Sequence, residues 1–260
     1  MISVTDAQLD AWLAAFIFPL ARILGLVAAA PAFNNAAIPM RIKAVVGLAI
    51  TFAIAPALPA FPQVAPASWA GLGILAQQSL IGIALGFTLR LIFAGIDLAG
   101  ELIGLQMGLG FAVFYDPQNA TQLPIVAELI GLIALLIFLA LDGHLMTLAL
   151  LAESFSVLPV GATSLQAAGW ETILRSGATI FSIGVLLALP LISTLLIANI
   201  ALGVLTKVAP QLNLFAVGFP VTLMAGFVML ALTLPYFAPT MERFFEQGYG
   251  TISAMLRAAA

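Results

Sequence analysis

Asp97 and Glu101 stand four residues apart in LIFAGIDLAGELIGLQ, so a helix through this stretch places two carboxylates side by side on one face. Carboxylates that close can share a proton or be held by a base on a neighbouring molecule. Arg90 and Gln106 belong to the same polar group, in or beside an apolar run where an isolated charge costs a few kcal/mol and must face protein or water. Interhelical hydrogen bonding, or solvation at the end of a segment, is the simpler use of these residues. The single histidine, His144 in LDGHLM, lies between Asp142 and Glu153. It could relay a proton with Asp142, or the DGH turn could serve only as a cap or an interfacial corner. A metal centre needs more ligands than this neighbourhood offers, there is no cysteine, and HExxH, GxSxG and GxxxxGK followed by Ser or Thr are all absent. The pattern points to neither an enzyme nor a bound cofactor or metal.

Gly100, Gly104 and Gly108 recur every fourth residue on the helix that carries the carboxylates, and Gly82 and Gly86 form a second pair upstream. Such faces let another backbone come close, within the chain or from a partner. Beyond Gly108 comes FAVFYDPQNATQLP, in which Phe111, Phe114 and Tyr115 sit between Gly110 and the Asp116-Pro117 break. Two readings stand open: an aromatic belt at the membrane interface, or a gate whose rings fill a pore at rest and swing aside when it is occupied.

The elements that hold these residues follow from composition. Hydrophobic residues make up 63% of the 260 and charged residues 7%, with a mean hydropathy of +1.19; a soluble domain carries about 25% charged residues. Eight basic and eleven acidic side chains cannot keep a 27.0 kDa globule soluble, so the chain is an all-α membrane protein in this reading. The net charge of −3, without a basic patch, gives nucleic acid no electrostatic hold. Asp6 and Asp10 precede the first apolar run where a cleaved signal would be positive, so residues 11–33 read as mature structure.

Apolar segments are expected over 11–33, 44–60, 71–99, 125–141, 178–206 and 213–237. The break FNNAAIPMRIK carries Arg41 and Lys43 and reads as a cytoplasmic turn by the positive-inside rule; PALPAFPQVAP, with four prolines and no charge, reads as a stiff connector. Lys207 before the last segment and Arg243 and Arg257 after it ask both ends of one helix to be cytoplasmic. Gly218 and Pro220, in AVGFPVT, are candidates for a hinge that would let this segment bend or return, unless the few charges carry no topological signal.

Four stretches carry a resemblance: IPMRIKAVVGLAITFAIAP at 38–56, LIFAGIDLAGELIGLQMGLGFAVFYDP at 91–117, FLALDGHLMTLALLAESFSVLPVG at 138–161 and NIALGVLTKVAPQLNLFAVGFPV at 199–221. They are similar to the FliR family of type III export components, flagellar proteins with virulence-system homologues of similar fold. The resemblance implies kinked helical hairpins within a hetero-oligomeric helical export gate raised out of the bilayer. FliP and FliQ would form its core, joined by FlhB and FlhA, and unfolded flagellar subunits would pass through it. It further implies that residues 108–123 plug the closed channel, with Phe111, Phe114 and Tyr115 obturating and Asp97, Glu101 and Gln106 buried near the pore. The place would be the bacterial inner membrane, at the flagellar basal body. A single membrane domain over 1–260 is expected, with no soluble domain and with FlhB as a separate polypeptide. Two other readings remain: a secondary transporter with a midplane site at Arg90, Asp97 and Glu101, and a scaffold that only packs its partners.

Overall fold

A computed structural model describes residues 5–33, 38–58, 62, 64–110, 124–161, 166–209 and 214–259. The described residues form eight α-helices and one 3-10 turn: α1 Asp6–Ala29, α2 Met40–Ile54, the turn Ala55–Ala57, α3 Trp69–Gln106, α4 Ile125–Ala140, α5 Gly143–Val157, α6 Ala167–Ser176, α7 Thr179–Val208 and α8 Leu214–Ala259. No strand occurs among them. Five stretches are long and apolar enough to cross a membrane, and α4 with α5 supplies a sixth if their break is counted within one span. The protein is an all-α membrane protein, because in hydrocarbon only a helix satisfies every backbone group within its own segment.

Local chemistry sets the helix ends. At the start of α1 the Thr5 N–H donates to Gln8 Oε1 at 3.1 Å, half of a capping box. Pro39 stands immediately before α2, and the prolines after Ala55 prevent that helix from continuing. Between α4 and α5 the chain turns at Asp142, whose φ of 54° lies in the left-handed region, and the Asp142 carbonyl accepts from the N–H groups of Leu145 and Met146 at 2.9 and 3.0 Å. The DGH stretch is therefore the start of a helix.

Prolines do not end helices here as they would in water. The apolar segment expected over 213–237 is the first part of a longer helix: α8 runs unbroken for 46 residues through Pro220, Pro235 and Pro239, about 69 Å at 1.5 Å per residue. Each proline deletes one backbone bond, but a break would expose several polar groups with no water to receive them. The helix is thus continuous through Gly218, which is buried, and Pro220, which is exposed.

The chain forms two compact units. The first contains α1, α2, α3 up to Leu91, α5, α6 and the end of α8 from Phe245. Its core joins Ile23 and Leu26 of α1, Ile81 and Leu85 of α3, Phe155 of α5 and Met255 of α8. Here α1 and α3 touch backbone to backbone: a Cβ built on Gly25 would lie 2.5 Å from Ser79 O, and one on Gly86 would lie 2.7 Å from Ala30 N. α2 packs antiparallel to α1, with Gly47 against Leu24 and the Phe16 and Phe52 rings 4.7 Å apart.

The second unit contains α3 from Ile92, α4, α7 and α8 to Phe244. α3 is its middle helix. Gly95 meets Ile183 of α7, Gly184 of α7 meets Leu98, and Phe93 packs edge-on to Phe138 of α4 at 5.7 Å. Near the end of α3, Met107 fills the space left by Gly226 of α8, and the Thr222 hydroxyl lies 3.4 Å from the Met107 carbonyl.

Candidate functional site

The second half of α3 has one apolar stripe and one polar edge. Ile96, Ala99, Ile103 and Met107, at helical spacing, are fully buried. Asp97, Glu101 and Leu105 fall one or two residues later in each turn and are exposed. The carboxylates were expected to be buried; in the single chain Asp97 and Glu101 are exposed and Gln106 is half-buried, because the apolar stripe has taken the packed face. A Cβ on Gly131 of α4 would lie 3.0 Å from Asp97 Oδ1, so the carboxylate rests over this small residue. Among the described residues no cation lies within ion-pair distance of Asp97 or Glu101; Arg175 pairs instead with Glu171 on α6, and Arg90 is exposed.

The three glycines at fourfold spacing do different work. A Cβ on Gly100 would fall on the Cα of Ala127, so α3 and α4 meet there with no room for a methyl group. Gly104 has ordinary contact, 3.8 Å, with Val126. Gly108 lies past the helix end with φ of 84°: its N–H donates to Leu105 O at 3.0 Å, and the Leu109 N–H donates to Gly104 O at 3.0 Å. That pair of bonds is a Schellman ending, which favours glycine because a side chain strains the left-handed backbone. Gly100→Ala should therefore cost about 1–3 kcal/mol through overpacking, whereas Gly104→Ala should be neutral or slightly stabilising through its better helix propensity. Thermal melts of the purified chain in detergent measure the contrast.

Gly110 is exposed in the turn that follows. Phe111, Phe114, Tyr115, Asp116 and Pro117, with the rest of 111–123, lie outside the described residues. Of the other polar group, His144 sits on α5 with Nδ1 buried and without a partner among the described residues, while Asp142 and Glu153 are exposed.

One residue that the sequence reading passed over is the most fully bonded in the first unit. Arg22 of α1 is 0% exposed. Its Nε donates to Gln78 Oε1 of α3 at 2.8 Å; one terminal nitrogen donates to Ser154 O at 2.8 Å and to Ser154 Oγ at 3.0 Å; the other donates to Leu158 O at 2.8 Å. The guanidinium carbon stands 4.1 Å from the Phe155 ring centroid. Among the described residues no carboxylate holds this cation: it is satisfied by the Gln78 amide, by carbonyls at the negative end of the α5 dipole and by an aromatic face. The available signal was its position as the only charge in the segment 11–33, since an ionisable residue amid apolar ones must have a partner.

Comparison with known proteins gives the family of the chain. The family model described as "Bacterial export proteins, family 1" matches residues 13–248. The chain is 42% identical over 256 residues to the flagellar biosynthetic protein FliR of Escherichia coli (strain K12), covering 98% of each chain. It is 43% identical over 257 residues to FliR of Pectobacterium carotovorum subsp. carotovorum, again over 98% of each. FliR of Aquifex aeolicus (strain VF5) is 34% identical over 225 residues, 86% of this chain and 87% of that one. With near-complete coverage at these identities, the helices, the glycine seams and the turn beyond Gly108 fall within the matched length, and the chain belongs to the bacterial export proteins, family 1.

Proposed function

We propose that this protein is a subunit of the flagellar protein-export gate in the bacterial inner membrane, where it helps to form the channel for unfolded flagellar proteins. The observation that carries this reading is the match to FliR over 98% of both chains. Its role is mechanical, without a reaction or a cofactor of its own. FliP and FliQ are the proposed core partners, with FlhB and FlhA joining them at the flagellar basal body. Residues 1–260 act as one membrane domain in that assembly, and Gly218 with Pro220 is the proposed hinge of α8.

Residues 108–123 are the proposed plug, launched from α3 by the Schellman turn at Gly108. Phe111, Phe114 and Tyr115 close the channel at rest, and Gly110, Asp116 and Pro117 set the path of the loop. Replacing the three aromatics with Gly, or shortening 110–118, should make resting cells leak small solutes while the assembly still purifies. An intact permeability barrier would refute the plug. An arrested export substrate should also cross-link at position 114, whereas a protein that only packs its partners would cross-link to those partners alone.

The polar edge of α3 supports assembly. Exposed carboxylates on a helix of membrane-spanning hydropathy are costly in lipid, so Asp97 and Glu101, with Gln106 a turn later, belong beside a partner or the water of the channel. Truncating one member of a buried charge pair costs about 2–5 kcal/mol at an interface. The double variant Asp97→Asn, Glu101→Gln should therefore recover at least about tenfold less partner on co-purification, with the melt of the isolated chain unchanged because both side chains are exposed in it. Undiminished recovery would mean that the pair faces water.

A further inference from the structure

We propose that one line of residues on the first part of α3, Gly73, Ala76, Leu80, Ile83, Phe87 and Arg90, seats a single apolar helix of another gate subunit, which brings a carboxylate to Arg90. This rests on the export-gate reading and deepens it, giving one of its contacts a place on this chain and a required chemistry.

The line is defined by what the first unit leaves open. Between Gly73 and Arg90 these six residues are exposed, and every other residue of α3 is buried or half-buried. Their spacing alternates, three residues and then four. That repeat, slightly shorter than a helical turn, keeps one side of a helix against a second helix wound round it left-handed. The rest of the circumference is already in use. Gly82 meets the α1 backbone at Arg22, Gly86 meets Ala30, and Ile81, Leu85 and Leu89 enter the core with Phe155 of α5. From Gly73 to Arg90 the line extends about 26 Å at 1.5 Å per residue. One helix laid along it covers all six residues, and a second would find no exposed residue of this stretch to meet.

Size and charge along the line select the occupant. At its centre Leu80, Ile83 and Phe87 are 50%, 43% and 44% exposed, which asks for apolar side chains opposite. At one end nothing lies within 4 Å of a Cβ built on Gly73. With Ala76 it leaves the backbone of α3 bare, so a partner backbone can come close there. At the other end Arg90 is exposed, and among the described residues no carboxylate lies within ion-pair distance of it. An unpaired charge beside apolar surface costs a few kcal/mol in lipid, and lipid gains nothing from the bare glycine. A carboxylate on the partner helix answers the charge. A second copy of this chain does not fit: laid parallel it sets Arg90 against Arg90, and laid antiparallel it offers Arg90 the glycine end of the line, which has no carboxylate.

The test uses the full chain, tagged and co-expressed with FliP and FliQ of the same bacterium. Recovery of neither subunit with the parent chain would overturn the export-gate reading and the seat together; the remaining outcomes bear on the seat alone. A benzophenone amino acid is placed singly at positions 80, 83 and 87. On irradiation all three should cross-link to one partner segment, at points three or four residues apart, with a Glu or Asp about one turn beyond the point met by position 87. Adducts with lipid alone, with a second copy of this chain or with scattered partner segments overturn the seat. Gly73→Leu and Arg90→Glu should each recover at least about fivefold less of that partner. Melts of the isolated chain should stay at the parent value, because Gly73 has open space and Arg90 is exposed. Replacing the partner's carboxylate with Arg should restore recovery with Arg90→Glu and not with Gly73→Leu. Undiminished recovery, or no rescue by that reversal, overturns the seat, and the cross-links decide even where a variant melts early.

Discussion

Arg22→Ala should leave the chain unable to hold α5 against α1 and α3, with a loss of about 4–6 kcal/mol that removes most or all of a stability of ordinary size. The figure follows from what the deletion strands. Ser154 O, Leu158 O and Gln78 Oε1 each accept from the guanidinium at 2.8 Å, in a site where Arg22 is 0% exposed and no water can replace it. A buried acceptor left unpaired costs about 1–3 kcal/mol, and the vacated volume adds a cavity term. The stacking on Phe155 is lost as well. Arg22→Lys should recover only part of the loss, since an ammonium cannot spread its donors across the two neighbouring helices as the planar fork does. Denaturation of the purified chain in detergent, followed by near-ultraviolet circular dichroism, reads the difference. A stable Arg22→Ala chain would show that the network is ornamental.

Gly82→Val should also be destabilising, for a different reason. A Cβ built at this position falls on the carbonyl oxygen of Arg22, and it stands 2.8 Å from Arg22 C and 2.9 Å from Leu26 N. All three are backbone atoms of α1, so nothing can rotate aside and the two helices must separate. Overpacking of this kind costs about 1–3 kcal/mol, and the separation also stretches the Arg22–Gln78 bond across the same seam. The two variants damage one joint, so the double variant should lose less than the combined single losses. Gly73→Ala is the control: nothing lies within 4 Å of its built Cβ, and the chain should melt at or slightly above the parent temperature. If Gly82→Val and Gly73→Ala melt alike, the seam is not as close as described.

The class of protein and most of its helices were legible before any coordinates. Six apolar segments were expected, and helices occupy all six, because a bilayer demands long apolar runs and composition reports them directly. The helix α5 was read only as a turn at DGH, since Asp, Gly and His together look like a corner; Asp142 is indeed the corner, but a 15-residue helix begins immediately after it. The apolar segment 213–237 covers only about the first half of α8, because the helix runs on to Ala259 through a stretch where Glu242, Arg243 and Glu246 interrupt the apolar run. The resemblance in the GLQMGLGF stretch led to the same family that whole-chain comparison supports.

What the sequence by itself determined was a helical membrane protein of this export family, the positions of its spans and the spacing of its glycines. What only the tertiary structure decided was the use of each residue within that frame: Gly82 against α1, Gly100 against α4, Gly108 as a helix ending, Arg22 as the joint of three helices, and Asp97 with Glu101 on an open edge. The physical reason is that water normally marks one face of a helix by making its residues polar. In this protein the buried and lipid-facing sides are both apolar, so hydropathy has no contrast with which to tell them apart, and the partner of each face emerges only from close packing.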